Sequence, residues 1–358
     1  MKLNIKWMSP NDPKDAGKAA TLGDVARAAG VSRVAASYAL RNRPGVSEET
    51  RRKIQKVADR LGYRPDARMA TKMEKIRDAK ERESVPIAWL NTGFSADVWH
   101  RLEYLKPYHE GARARCEAMG YKLDEFWLRE KGMTSERLSR IIHNRGIRGV
   151  IVTPSDRLGH IHVPLKWEWF ACVSFEKAIH SPSLVQVAQD RYRNMLLCLK
   201  KVRRLGFKRV AILIEQQSDR RSSNAFQAAA MYFFSRVKKT TLLPLLFSGP
   251  SATGIPPDFA AWLKQHRPDV VIGQNNHLVE AVEAAGYAVP RDISVVHLAL
   301  DGDCADWAGV SARKYDIGVA TAEAVISLVQ NHQYGLPSVA RDILVQGNWQ
   351  MGRTLVLR

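Results

Sequence analysis

From residue 85 onward, short apolar runs alternate with stretches of helical period, and this alternation restricts the chain more than any other feature. Residues 86–91 (PIAWLN), 122–128, 148–153 (RGVIVT), 170–175, 209–214, 242–247, 269–273, 293–298 and 342–346 read as strands. Residues 104–119, 135–144, 190–205, 223–237, 259–266, 278–285 and 317–331 read as helices. Strands that alternate with helices imply βαβ units and parallel sheets. About ten to twelve strands over roughly 270 residues favour two sheets rather than one.

The charge is uneven. Residues 1–82 hold 20 Lys and Arg against 10 Asp and Glu, and the remaining 276 residues hold 35 against 26. The first quarter of the chain thus carries half of the +19 excess. A basic module ahead of a near-average region is the electrostatic footprint of a nucleic-acid binder with a separate second function. A generically basic, solvated surface would give the same composition.

The N-terminal segment 1–20 mixes Pro, Gly, Asp and Lys without apolar periodicity and reads as a flexible arm. It has no apolar core of the kind an export signal needs, so none is expected. No window of about 18 apolar residues suggests a membrane span. Cys116, Cys172, Cys198 and Cys304 lack C-x-x-C spacing, so free thiols in a reducing cytosol are the simplest reading.

At Thr21 the texture changes. Thr21-Leu22-Gly23-Asp24 is a helix start signal, with Thr21 as cap and Asp24 in the first turn. Gly30 stops that helix, since positive φ is cheap only for Gly. Ser32 can cap a second helix over 33–40, and Ser47 a third over 48–61. Three short helices, the second small and polar, describe a helix-turn-helix. The second would turn Ala36 and Ala39 inward and present Ser32, Arg33, Val34, Ser37, Tyr38 and Arg41 outward. Donors, cations and a methyl-contacting group suit base edges and phosphates.

The ordered string DVA, AAGVS, S-x-A-L, VSEETR and LGYRP between residues 21 and 65 closely resembles the headpiece of the LacI/GalR transcriptional regulators. The resemblance implies that Arg33, Val34 and Tyr38 read base edges, and that Thr21, Ser32, Ser37, Ser47 and Thr50 lie along the DNA backbone. Many members carry Arg where Tyr38 stands, and a phenol cannot bridge guanine O6 and N7 as a guanidinium does. Arg41 replaces a common Asn and adds a phosphate contact.

Residues 66–83 then correspond to the family's hinge helix, which forms on DNA and pushes a Leu into the minor groove. Met69, Met73 and Ile76 lie at helical spacing, with Arg68, Lys72 and Lys75 on the adjacent stripe. Lys72 occupies the position of the wedging Leu. An ammonium prefers phosphate, so Met69 or Met73, with Met73 favoured, takes the wedging role, or the duplex is kinked less.

Residues 84–358 resemble the family's sensor, a pair of lobes of the type I periplasmic-binding-protein kind. The supporting segments are GFKRVAI at 206–212, RPD at 267–269 leading to Asn275-Asn276, VPRDISVV at 289–296 and QGNW at 346–349. The expected architecture is therefore an α/β sensor of two Rossmann-like lobes with parallel sheets, preceded by an all-α helix-turn-helix DNA-binding domain. Its expected division is an arm at 1–20, a headpiece at 21–65, a hinge at 66–83 and a sensor at 84–358. Lobe 1 covers about 84–188 plus 313–342, and lobe 2 about 189–312 plus 343–358. Ligands in such folds sit between the lobes at the carboxyl ends of strands. That places Asn91, Phe94 and Trp99 near the site, with Asp301 and Trp307 after a later strand. The resemblance adds Asn275 and one of Arg220 or Arg221. A planar aromatic with Asn, Asp and Arg suits a sugar. The family's G-[FY]-D-D pattern is broken here, reading HLALD at 297–301.

No nucleophile elbow, P-loop or G-x-G-x-x-G is present, so no catalytic residue and no cofactor is expected. His160-Ile161-His162 is the one close histidine pair, and without a third ligand it reads as a surface segment rather than a metal site. The expectation is a cytoplasmic homodimeric transcriptional regulator, more often a repressor, that binds double-stranded DNA at a near-palindromic operator under control of a small-molecule, carbohydrate-like effector. A sugar-binding transport protein, or an α/β enzyme with a basic appendage, is the rival reading.

Overall fold

The computed structural model describes residues 20–40, 45–63, 84–103, 105–153, 163, 165–176, 181–248 and 253–357. The chain divides near residue 83 into a helical unit and an α/β unit. The expected arm at 1–20, residue 20 apart, and the whole of the expected hinge at 66–83 lie outside the described residues.

The helical unit contains α1 (Leu22–Ala29), α2 (Arg33–Leu40) and α3 (Glu48–Arg60). Thr21 and Asp24 form a reciprocal capping box at the start of α1, and Gly30 closes it at φ 70°. Ser32 Oγ accepts from the Ala35 N–H at 3.1 Å, and Ser47 Oγ from the Thr50 N–H at 3.3 Å, so each later helix also begins on a serine. Val25, Ala26, Ala29, Ala36, Ala39, Ile54, Val57 and Ala58 form the core. Five of its eight members are alanines, which lets three short helices approach closely around one small apolar centre.

The α/β unit contains two sheets. The first has β1 (Val85–Asn91), β2 (Tyr121–Trp127), β3 (Gly149–Val152), β4 (Ala171–Phe175), β5 (Val185–Gln189) and β12 (Asp342–Val345), in the order β12-β5-β4-β3-β1-β2. All its pairings are parallel. The second has β6 (Arg209–Ile214), β7 (Thr241–Leu242), β8 (Leu246–Phe247), β9 (Val270–Gly273), β10 (Ser294–Leu300), β11 (Ala308–Ser311) and β13 (Trp349–Gln350). Its order is β13-β11-β10-β9-β6-β7, with β8 also on β6 and only β13 antiparallel.

The central strands of each sheet are buried on both faces, which explains their continuous apolar runs. On β1, Ile87 and Trp89 pack with the helices Lys106–Ala118 and Lys314–Gln330, while Ala88 and Leu90 pack on the opposite face with Leu138 and Ile142. On β6 and β9, Val210, Ile212, Val270 and Ile272 face one core, and Ala211, Leu213 and Val271 face the other. The helices Lys106–Ala118 and Lys314–Gln330 meet through glycines. A Cβ at Gly111 would collide with the Tyr315 carbonyl, and one at Gly318 with the Tyr108 carbonyl.

Three sequence expectations are corrected. The run 242–247 is not one strand but two short pairings, β7 and β8, separated by Pro244, which has no N–H to give a ladder. β5 and β11, absent from the sequence reading, are full members of the sheets. The chain passes from the first sheet to the second after β5, returns through the helix Lys314–Gln330, and leaves again after β12. β12 lies wholly in the first sheet, so this last passage falls after Val345 rather than at residue 342.

Candidate functional site

The helical unit presents a polar face on α2. Ala36 and Ala39 are buried, whereas Arg33 and Tyr38 are exposed, Ser37 is half-buried and Val34 is 61% exposed. A β-branched side chain left that open gains nothing from the core and is free to meet a thymine methyl. The Ser32 hydroxyl accepts from the Ala35 N–H and still carries a hydrogen to donate. Ser47 and Thr50 share a hydroxyl–hydroxyl hydrogen bond of 2.8 Å beside the start of α3. Thr21 is differently placed: both its N–H and its O–H donate to Asp24 Oδ2, at 2.9 and 2.6 Å. Those bonds hold the exposed Asp24 carboxyl below the usual range. Thr21 therefore serves its helix before anything else. Arg41, Arg68, Met69, Lys72 and Met73 lie outside the described residues.

The α/β unit brings strands of the first sheet and the segment that follows β6 around a second site. A cavity of about 320 Å³ is lined by both, among them Glu176, Gln189, Arg191, Tyr192, Ser218 and Leu344. Arg191 organises it. Its guanidinium donates to the Ser218 carbonyl at 2.8 Å, to the Ser218 hydroxyl at 2.7 Å and to Glu176 Oε2 at 3.3 Å. Glu176 Oε1 accepts the Gln189 N–H at 3.3 Å. Gln186 Oε1 and Gln189 Nε2, both from lining residues, have no hydrogen-bond partner among the described residues. Asp219, wholly buried beneath the wall, accepts the N–H groups of Phe226 and Gln227 at 2.9 and 3.3 Å and fixes the helix Ala225–Arg236.

Next to Glu176 lies a small buried charged group. Lys314 pairs with Asp301 and holds its ammonium 5.9 Å from the centre of the Tyr108 ring, which in turn stacks on Phe175 at 5.1 Å. Burial lowers the Lys314 ammonium to about 8, with Glu176 opposing the shift. Burial also raises the Tyr108 phenol well above its usual range.

Among the described side chains, none of the effector residues expected from the sequence lines the 320 Å³ cavity. Asn91 stands at the end of β1, but its amide is spent on its own loop. It donates to the carbonyls of Ser95 and Ala96 at 2.8 and 3.1 Å and accepts from Gly93 N–H and Trp99 Nε1. Trp99 is 1% exposed and packs edge-on against Trp89 and Phe175. Trp307 is buried in the second sheet's core against His297. Asn275 ties the Thr253 carbonyl to the start of the next helix. Phe94 is exposed, with the Arg129 guanidinium 5.3 Å over its ring. Arg220 is exposed, and Arg221 ends the helix Gln216–Arg221. Of the expected set, Asp301 alone belongs to the charged group beside the cavity.

Glu176, Arg191 and Ser218 were missed by the sequence reading. A signal existed for Arg191, which directly follows Asp190, the cap of the helix Arg191–Arg204. A cap after an apolar run marks a strand end, where ligands bind.

Residues 21–66 match the family described as bacterial regulatory proteins, lacI family. We found no match among curated protein sequences. Several solved structures share the fold. The transcriptional regulator CelR in complex with cellobiose is 15% identical, with 94% of this chain and 99% of that chain covered and a TM-score of 0.55. The lac repressor dimer bound to operator and the anti-inducer ONPF is 17% identical over 94% and 99%, at 0.54. A periplasmic binding protein/LacI transcriptional regulator from Alkaliphilus metalliredigens QYMF, complexed with D-xylulofuranose, is 11% identical over 76% and 100%, at 0.51. At these identities the likeness is one of fold.

Proposed function

We propose that this chain, a regulatory protein of the lacI family by the match of its residues 21–66, is a sequence-specific DNA-binding transcriptional regulator whose affinity for DNA answers to a small hydroxyl-rich ligand held between the two sheets. The observation that carries the first half is α2. Its inner side is alanine, and its outer side is Ser32, Arg33, Val34, Ser37 and Tyr38, which has the polarity and size to enter a major groove. A twofold homodimer presents two such helices, so its operator is an inverted repeat.

The second half rests on the cavity around Arg191. It offers a carboxylate, a guanidinium, serine hydroxyls and two amide atoms without partners, a lining that rewards a ligand rich in donors and acceptors. Carbohydrates fit that description, and two fold relatives carry one, cellobiose in CelR and D-xylulofuranose in the Alkaliphilus protein. The ligand acts by preferring one arrangement of the lobes over another. Four buried free cysteines accord with a reducing cytoplasm, and no helix among the described residues is long and apolar enough to cross a membrane.

The test is selection of duplexes from a random pool by the full-length protein, followed by salt titration of the winner. An enriched inverted repeat, bound more weakly as salt rises, supports the reading. Adding sugars and sugar phosphates should shift that affinity for one of them. A pool that stays random at moderate ionic strength refutes it.

A further inference from the structure

On the flank of the first sheet, three potential metal ligands from three separate elements converge. His100 comes from the short helix Val98–Arg101, His109 from the helix Lys106–Ala118, and Glu125 from β2. Their ligand atoms all lie within 4.8 Å of one another. His100 Nε2 is 2.8 and 3.0 Å from the two Glu125 oxygens, and His109 Nε2 is 3.1 Å from Oε1.

Simple ion pairing accounts poorly for His109. The side chain is 5% exposed, and its ring stands edge-on to Trp89 at 5.0 Å. Its Nε2 is fully buried and, despite its closeness to Oε1, is not aligned to form a hydrogen bond with it or with any other described residue. A buried imidazole nitrogen aimed at a carboxylate, but off the line of a proton, is costly as it stands. It is well used if its lone pair and the carboxylate share an ion. The His100 ring, 4.9 Å from that of His109, brings a second imidazole to the same oxygen. In a tetrahedron of zinc–nitrogen and zinc–oxygen bonds, neighbouring ligand atoms stand about 3.3 Å apart. Opening the two histidine–carboxylate separations by a few tenths of an ångström brings them to that value.

We propose that His100, His109 and Glu125 form a binding site for a divalent transition ion of the zinc class. Two imidazoles and one carboxylate select such an ion over magnesium or calcium, which take oxygen ligands. Three protein ligands leave a fourth position, and the exposed edge of His100 opens it to water. Electrostatics agree with the geometry, since the two imidazoles beside it hold the Glu125 carboxyl ionised down to about 2. Trp99, the neighbour of His100, donates to Asn91 at the end of β1, so an ion that anchors the helix Val98–Arg101 also steadies the loop that Asn91 holds.

The experiment is calorimetric titration of untagged, metal-stripped full-length protein with Zn²⁺ alone, repeated on His100→Ala and Glu125→Gln. A parallel titration with Co²⁺ is read by its visible absorption. The expected result is one ion per chain with a tetrahedral cobalt spectrum. Each variant should weaken binding by more than the roughly 10–100-fold that loss of an outer-shell partner costs. His100 is exposed, so His100→Ala should melt like the metal-free parent and separate lost ligation from lost fold. Failure of the parent to take up one equivalent overturns the proposal. So does uptake that is unchanged in both variants, because the zinc then sits elsewhere on the chain.

Discussion

The Arg191 guanidinium lies 3.3 Å from the Glu176 carboxylate and 2.7 Å from the Ser218 hydroxyl, so one side chain joins the end of β4 in the first sheet to the segment after β6 in the second. Both members of the ion pair are mostly buried. Arg191→Ala should leave Glu176 without its cation and lower stability by about 1–3 kcal/mol. The same change should reduce the response to ligand far more than it reduces DNA binding in the absence of ligand. Urea unfolding gives the first quantity, and operator titrations with and without ligand give the second. Intact ligand response in this variant would remove Arg191 from the proposed site.

His297 on β10 governs acid stability. It is 1% exposed, and burial lowers its imidazole to about 4. Nδ1 accepts the Ala299 N–H at 3.2 Å, so the neutral ring carries its proton on Nε2. An unfolded chain takes up that proton near the ordinary histidine value, whereas the folded chain resists it. Stability is therefore unaffected above about 6.5, falls as pH drops from there toward 4, and levels off below, for a total of about 3 kcal/mol. Urea midpoints between pH 7 and 4.5 should decline in the parent and decline less in His297→Gln. Glu125 does not confuse the measurement, since its lowered carboxyl loses its contribution only as pH falls from about 4.5 toward 2.

Arg33 stands at the exposed start of α2. If it reads a base, Arg33→Ala should cost about 1–3 kcal/mol of operator affinity and relax preference at one position in each half-site. Competition against singly substituted operators resolves this. A loss that is equal for every sequence, with a shallower salt dependence, would make Arg33 a phosphate anchor instead.

Gly318 has no room for a side chain, because a Cβ would strike the Tyr108 carbonyl and the Ala112 N–H. Gly318→Ala should force the helices Lys106–Ala118 and Lys314–Gln330 apart and destabilise by about 1–3 kcal/mol or more. A lower urea midpoint at constant slope is the expected result.

The helical unit was legible because its boundaries are written in local chemistry. Thr21, Ser32 and Ser47 cap, Gly30 stops, and α2 runs over Arg33–Leu40 as the sequence reading had it. The sheets were legible where buried runs are long, as in β1 and β6. β5 escaped because its five residues include Gln186 and Gln189, which line the cavity and leave no continuous apolar run. The cavity itself was not legible. Glu176 and Arg191 are separated by a strand, and Ser218 by a further helix and strand, so only tertiary folding gives them a common purpose. The same holds for His100, His109 and Glu125. Aromatic content misled, since Trp99 and Trp307 suggest ligand platforms and are in fact core.

The three passages between the sheets run side by side. The Asp190 N–H donates to the Val345 carbonyl at 2.9 Å, and the Ser311 N–H to the Asn348 carbonyl at 2.9 Å. Gly347 is locked between them by the Asn194 side chain. A body hung on one strand can swivel in any direction, but one fastened at three adjacent points has a single easy axis. Whatever enters the cavity can therefore only bend this unit like a door on its jamb, and the leverage it exerts is set by its distance from residue 347.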